Sequence, residues 1–184
     1  MHRNWLLEKL GFYPARDADD AANRDRIGAF VEEHPRCFER ALLIGHITGS
    51  GWLMDHTGQR VLLTHHAKLN KWLQLGGHAD GDSNVLRVAL REAAEESGLN
   101  DIIAVSDEIF DLDVHPIPAR GGEPEHFHYD VRFLLQATGD DRHVRTDESH
   151  ELRWFTAAEL ADFTVGRSVH RMREKWLAHL NGTP

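Results

Sequence analysis

Residues Gly76 to Leu99, GGHADGDSNVLRVALREAAEESGL, run a glycine-rich loop straight into a short helix crowded with carboxylates, and the remaining chain reads as the scaffold of this stretch. Ser83 is expected to cap the helix, since a serine hydroxyl accepts a bond from an early backbone N–H, and Gly98-Leu99 reads as a left-handed stop with its apolar contact. The helix is thus predicted over about Asn84 to Ser97. At about 100° per residue, Glu92, Glu95 and Glu96 fall within roughly 100° of arc. Val85, Val88 and Ala89 occupy the sector of Glu92 and Glu96, Leu86, Leu90 and Ala93 widen the apolar arc, and Arg87, Arg91 and Ala94 lie opposite. The carboxylates are therefore expected to face other protein. The alternative, a solvated acidic face, is the commoner explanation of paired glutamates, but it belongs opposite the apolar arc. Like charges at this spacing repel, and their burial needs compensation. A divalent cation supplies it, and an oxygen-only donor set without clustered cysteines favours Mg2+ or Mn2+ over zinc.

Gly77, five residues, Ser83, seven residues, and then Arg91-Glu92-Ala93-Ala94-Glu95-Glu96-Ser97-Gly98-Leu99 resemble the Nudix box, GX5EX7REUXEEXGU with U a bulky aliphatic. Two positions depart from it: Ser83 stands where the box has glutamate, and Ala93 is smaller than the usual aliphatic. The resemblance implies that Glu92, Glu95 and Glu96 hold divalent metals with the Gly76 carbonyl, and that Arg91 orients the carboxylates. It also implies a general base drawn from these glutamates or from a distant loop, where Glu148 is the first candidate and Glu151 the second. Asp82 is a partial substitute for the absent glutamate.

The chain has 184 residues, enough for one sizeable core, and is read as a single domain, 1–184, with a helical lead-in over 1–40. A net charge of -9 argues against nucleic acid as the main partner, because a phosphate backbone needs a basic surface. Cys37 is the only cysteine and is expected to pack. No apolar run approaches the ~20 residues of a membrane span, and no signal-peptide pattern opens the chain, so a cytoplasmic protein without membrane association is expected.

In the lead-in, Trp5, Leu6 and Leu10 predict one amphipathic helix, and Asp17 to Asp20 open a second that carries Ile27, Phe30 and Val31 and stops before Pro35. Packing is its expected role; covering a sheet edge, forming a homodimer contact and shaping specificity stay open. ALLIGHI and GSGWLMD read as extended, the Asp55-His56-Thr57-Gly58 turn leads to Val61-Leu62-Leu63, and Trp72 to Leu75 forms a short strand entering the glycines. His65, His66 and the Lys68 to Lys71 segment are candidate phosphate contacts or a solvated hairpin end. Ile109 to His115 and His126 to Gln136 alternate as strands. On the latter, His126, His128, Asp130 and Arg132 either line a pocket or form a wet sheet face, and His126-x-His128 lacks a nearby third ligand for zinc. Thr156 to Glu159 is a capping box, and Val169, Met172, Trp176 and Leu180 form the stripe of a last helix.

These elements predict an α/β fold, a Nudix-like α/β/α sandwich around a mixed sheet with an N-terminal helical extension. The expected activity is metal-dependent hydrolysis of a diphosphate linkage in a nucleoside diphosphate joined to another group. The alternatives are a ligand-sensing module without catalysis, motivated by Ser83, and an isomerase acting on an allylic diphosphate, which Cys37 disfavours by its place in the lead-in.

Overall fold

The computed structural model describes residues 2–67, 69–144 and 149–182. Helices α1 (Asn4–Phe12) and α2 (Ala18–Glu33) precede the strands β1 (Gly45–Met54), β2 (Arg60–His66), β3 (Lys71–Leu73) and β4 (Leu75–His78). Then come helix α3 (Val85–Ser97), strands β5 (Ile102–Ala104), β6 (Asp111–Ile117), β7 (His126–Ala137) and β8 (Ser149–Thr156), and helices α4 (Ala157–Asp162) and α5 (Arg167–Leu180). The strand order is β3-β2-β1-β7-β5, with β4 pairing β1, β6 pairing β7 and β8 pairing β2. Among the described residues, no helix is long and apolar enough to cross a membrane.

The chain forms two compact units, and β1, β4, α3 and β7 each contribute to both. The first comprises the described residues of Met1–Ser50, Gly77–Ala89 and Asp107–Phe133. In it the helical lead-in packs on β6 and β7. Phe30 of α2 stacks on Tyr129 with ring centroids 3.8 Å apart, and Asn23 Nδ2 donates to the Leu112 carbonyl at 3.2 Å. The Asp17 side chain caps α2 by accepting the Asp20 N–H at 2.8 Å.

The interior of this unit also holds a polar layer. Antiparallel pairing of β6 with β7 sets Asp111 opposite Arg132, Asp113 opposite Asp130 and His115 opposite His128. Arg132, 2% exposed, donates from Nε to Asp130 at 2.7 Å and from Nη1 to Asp111 at 2.9 Å, with Asp113 3.4 Å from Nη2. From β1, the Thr48 and Ser50 hydroxyls both donate to Asp130 Oδ1, at 2.8 and 2.7 Å. Burial opposes the guanidinium charge, but Asp130, Asp111 and Asp113 outweigh it and hold the Arg132 pKa above its ordinary value. Asp130 and Arg132 therefore form neither a wet face nor a pocket wall; they are buried and satisfied.

The second unit comprises the described residues of Gly51–Gly76, Leu90–Ser106 and Leu134–Pro184. Strand β2 is its spine, pairing antiparallel with β1, β3 and β8. The turn at Asp55 forms as expected: its Oδ1 accepts from the Thr57 hydroxyl at 2.8 Å and from the Gln59 N–H at 3.0 Å. The Thr156 capping box opens α4. Trp176 of α5 meets Trp52 edge-on, with centroids 6.1 Å apart, whereas Leu180, expected in the same stripe, is 39% exposed.

Helix α3 lies against β1 at two glycines. A Cβ on Gly49 would stand 2.8 Å from the Val85 carbonyl oxygen and 3.0 Å from Val88 Cβ; one on Gly51 would collide with the Leu135 side chain and lie 3.7 Å from Ala93 Cβ. Ala93 is fully buried, so the small residue at this box position fits a close contact rather than a defect. The cap differs from expectation: Asn84 Oδ1, not Ser83, accepts the Arg87 N–H, at 3.0 Å, and the helix begins at Val85. Gly98 ends it with φ +71° and its N–H on the Ala94 carbonyl at 2.9 Å. The glycines of the box also differ, since Gly76 and Gly77 lie within β4 and the preceding strand breaks at Gln74.

Gly49→Ala should lower unfolding stability by about 1–3 kcal/mol, because a backbone carbonyl cannot move aside as a side-chain tip can. Urea unfolding measures this, and an unchanged midpoint would show that α3 slides freely on β1. Arg132→Leu should cost about 3–5 kcal/mol by leaving buried carboxylates uncompensated. A loss below about 1 kcal/mol would mean that water or protons replace the guanidinium there.

Candidate active site

The box residues Gly76, Arg91, Glu92, Glu95 and Glu96 all fall in the second unit. Glu96 is 8% exposed, and its Oε2 accepts the Gly76 N–H at 2.9 Å, so the amide of this glycine is tied to the helix. Glu92 accepts Arg91 Nη2 at 2.7 Å, with side-chain exposures of 17% and 36%. Glu95 is exposed. The expected inward face is therefore graded. Glu96 lies inside the apolar arc and Glu92 at its margin, while Glu95 is about 100° round from Glu96 and reaches water. A buried carboxylate bonded to a backbone N–H beside one held by a guanidinium is a charge-assisted arrangement that fixes both side chains.

The remaining expected site residues are distributed elsewhere. Glu148 and Lys68 lie outside the described residues. Glu151 is exposed on β8, opposite His65 in the β2 pairing. His65 stacks on Trp72, with centroids 5.1 Å apart and rings inclined by 11°, and Lys71 is exposed. Asp82, considered as a stand-in for the box glutamate, accepts Arg87 at 2.7 and 2.6 Å and the Asn84 N–H at 2.9 Å. Both its oxygens are thus engaged in holding the start of α3.

The first unit holds a histidine group that the sequence reading did not assemble. His46 of β1 has ring centroids 4.9 Å from His78 of β4, 5.1 Å from His126 and 4.9 Å from His128 of β7, and His115 of β6 lies 5.5 Å from His128. The partners that His128 lacked in sequence come from β1 and β4, as His46 and His78, while His126 stands beside this group. A signal was present: His46, Thr48 and Ser50 are polar at alternate positions of a strand that is buried throughout. Burial, then the neighbouring His78, His126 and Arg40, push the His46 pKa down to about 4. Burial, with His78, His46, His115 and His126, pushes His128 further, to about 2.

The family model of the NUDIX domain matches residues 46–177. The chain belongs to this family. No curated protein sequence matches it. Among solved structures, this Nudix domain is similar to a C. elegans Ap4A hydrolase binary complex, with 16% identity and a TM-score of 0.60 over 74% of this chain and 98% of that one. It is similar to a Nudix-family hydrolase from Clostridium perfringens, with 22% identity and a TM-score of 0.54 over 73% and 97% of the two chains. It is also similar to the NUDIX domain of Shewanella oneidensis NrtR complexed with ADP ribose, with 16% identity and a TM-score of 0.53 over 81% and 97%. These likenesses show the fold: the mixed α/β Nudix fold, here preceded by α1 and α2.

The depressed histidines make the stability of this Nudix domain pH-dependent. Above about 6.5 these imidazoles are neutral in folded and unfolded chains alike; below it the unfolded chain takes up protons that the folded His46 refuses until about 4. The melting temperature of the metal-free protein should therefore fall as pH is lowered from 6.5 to 4, and His46→Gln should flatten part of that slope. An identical slope in the variant would remove His46 as a source.

Proposed function

We propose that this Nudix domain is a divalent-metal-dependent pyrophosphohydrolase that cleaves the diphosphate linkage of a nucleoside diphosphate joined to another group, with residues 1–184 acting as one domain. The observation that carries the reading is the positioned pair on one helix, Glu96 bonded to the Gly76 amide and Glu92 bonded to Arg91, beside the exposed Glu95. An all-oxygen donor set of this kind fits a hard cation, so Glu92, Glu95 and Glu96, with the Gly76 carbonyl, would hold Mg2+ or Mn2+. When bound, the ion would neutralise diphosphate charge and lower the pKa of a water.

The protein groups have separable tasks. The Gly76 amide holds Glu96 in one orientation, and Arg91 does the same for Glu92, acting as a positioning residue rather than a substrate contact. Glu95, open to solvent, can accept the proton of the attacking water, and Glu148 is the other candidate for that role. Attack forms a bond from the water oxygen to one phosphorus and breaks the bridging P–O bond, releasing two phosphorylated fragments. The substrate class draws support from the similar folds, one an Ap4A hydrolase and one a complex with ADP ribose.

A ligand-sensing module without catalysis is the second reading. It is favoured by Ser83 at the box glutamate position and by the engagement of Asp82 with Arg87. Isomerase chemistry finds no support in Cys37, which is fully buried and whose thiol is pushed up to about 11 by that burial.

The purified protein should be assayed against nucleoside diphosphate sugars, dinucleoside polyphosphates, ADP-ribose and nucleoside triphosphates, each with Mg2+, Mn2+ or chelator. Metal-dependent cleavage of one class is expected, with Glu96→Gln and Glu95→Gln each cutting turnover by about a hundredfold or more. Near-wild-type rates in both variants would remove this helix face from the mechanism. No cleavage across the panel, with tight ligand binding by calorimetry, would establish the sensing module instead.

A further inference from the structure

The histidine group of the first unit takes no part in the hydrolase reading, and its chemistry is that of a different kind of metal. Among the described residues, both ring nitrogens of His46 and Nε2 of His128 are buried with no hydrogen bond that meets ordinary geometry. Buried polar atoms are ordinarily satisfied, and leaving one unpaired costs about 1–3 kcal/mol. A neutral imidazole carries one lone pair, so a ligand that takes lone pairs would satisfy one nitrogen of His46 and Nε2 of His128. Among the described residues, one ligand atom from each of His46, His78 and His128 lies within 4.8 Å of the others. A tetrahedral zinc with Zn–N of about 2.0–2.1 Å sets its nitrogens roughly 3.3 Å apart, a contraction within the reach of small imidazole rotations.

We propose that His46, His78 and His128 form a three-histidine site for a zinc-class divalent cation, separate from the carboxylates of the Nudix box. The ligands come from β1, β4 and β7, and rigid strands are the kind of support that fixes ligand geometry. The outer contacts also fit. His126 Nδ1 is tied to the Pro124 carbonyl at 2.9 Å, and His115 Nδ1 to Asp113 at 3.0 Å, which holds the flanking imidazoles in place around the ligands. The burial that keeps His46 neutral at ordinary pH keeps its lone pair available.

A pocket lined by His46, His78, His126, Arg40 and Glu123 gives an entry path to two of the three ligands. Arg40 guards it: Nη2 stands 2.7 Å from His78 Nδ1, and Nε donates to Asp80 at 3.0 Å. A bound dication repels this guanidinium, so loading displaces Arg40 from His78 towards Asp80.

The test uses the whole chain, stripped with chelator and titrated with Co2+, whose tetrahedral nitrogen complexes absorb visible light far more strongly than octahedral oxygen complexes. The expected result is an intense visible spectrum that saturates at one equivalent, is bleached by Zn2+, and persists in Glu96→Gln. His46→Gln and His128→Gln should each weaken Co2+ binding by more than about 100-fold, since even outer-sphere partners are worth 10–100-fold. Urea unfolding of both variants shows whether they fold; if they do not, the wild-type spectrum and a zinc-dependent rise in its melting temperature decide. Only the weak octahedral spectrum in the wild type, no zinc effect on its melting, or unchanged Co2+ affinity in both folded variants would overturn the site.

Discussion

Helix α3 can carry its carboxylates to a defined place only because β1 offers it no side chain at Gly49 and Gly51. The Val85 carbonyl would lie 2.8 Å from a Cβ on Gly49, and Ala93 would be in contact with one on Gly51. Backbone-to-backbone approach of this kind leaves little freedom for the helix to roll. With its roll set, Glu96 is buried and bonded to the Gly76 amide, while Glu95, next to it in sequence, stands in water. The two stand about 100° apart around the helix, so its roll decides which carboxylate is held and which is solvated.

The first unit handles buried polarity in two opposite ways within one layer. At one end, Arg132 is enclosed by Asp111, Asp113 and Asp130, and the Thr48 and Ser50 hydroxyls complete the Asp130 coordination. Every charge buried there has a partner within ion-pair or hydrogen-bond reach. At the other end, imidazoles crowd together, and those of His46 and His128 have nitrogens without a hydrogen-bond partner among the described residues. The same strands thus support a closed network and an open one, and the open one has the character of a site.

Much of the candidate site was legible in the sequence, because the box is local. Its residues lie within one loop and one helix, and helical periodicity alone groups Glu92, Glu95 and Glu96. Gly98 as the helix stop, the Asp17 and Thr156 caps and the Asp55 turn were legible for the same reason, since each depends on residues within a few positions. The helix cap was misread because Ser83 and Asn84 are both competent acceptors, and only the backbone path selects Asn84. The pairing of Asp82 with Arg87, five residues on, was not drawn from the sequence, because either side chain has other partners within reach.

Sequence by itself determined the identity of the elements, the carboxylate-bearing helix and the alternation of polar residues along β1, β6 and β7. Tertiary structure decided which of those polar residues meet. Strand register sets Arg132 opposite Asp111 and His115 opposite His128, and the convergence of β1, β4 and β7 brings a ring nitrogen from each of His46, His78 and His128 within 4.8 Å of the others. A period of two tells which face a side chain takes. It carries no information on the partner across the sheet, because that depends on hydrogen-bond pairing between segments far apart in the chain.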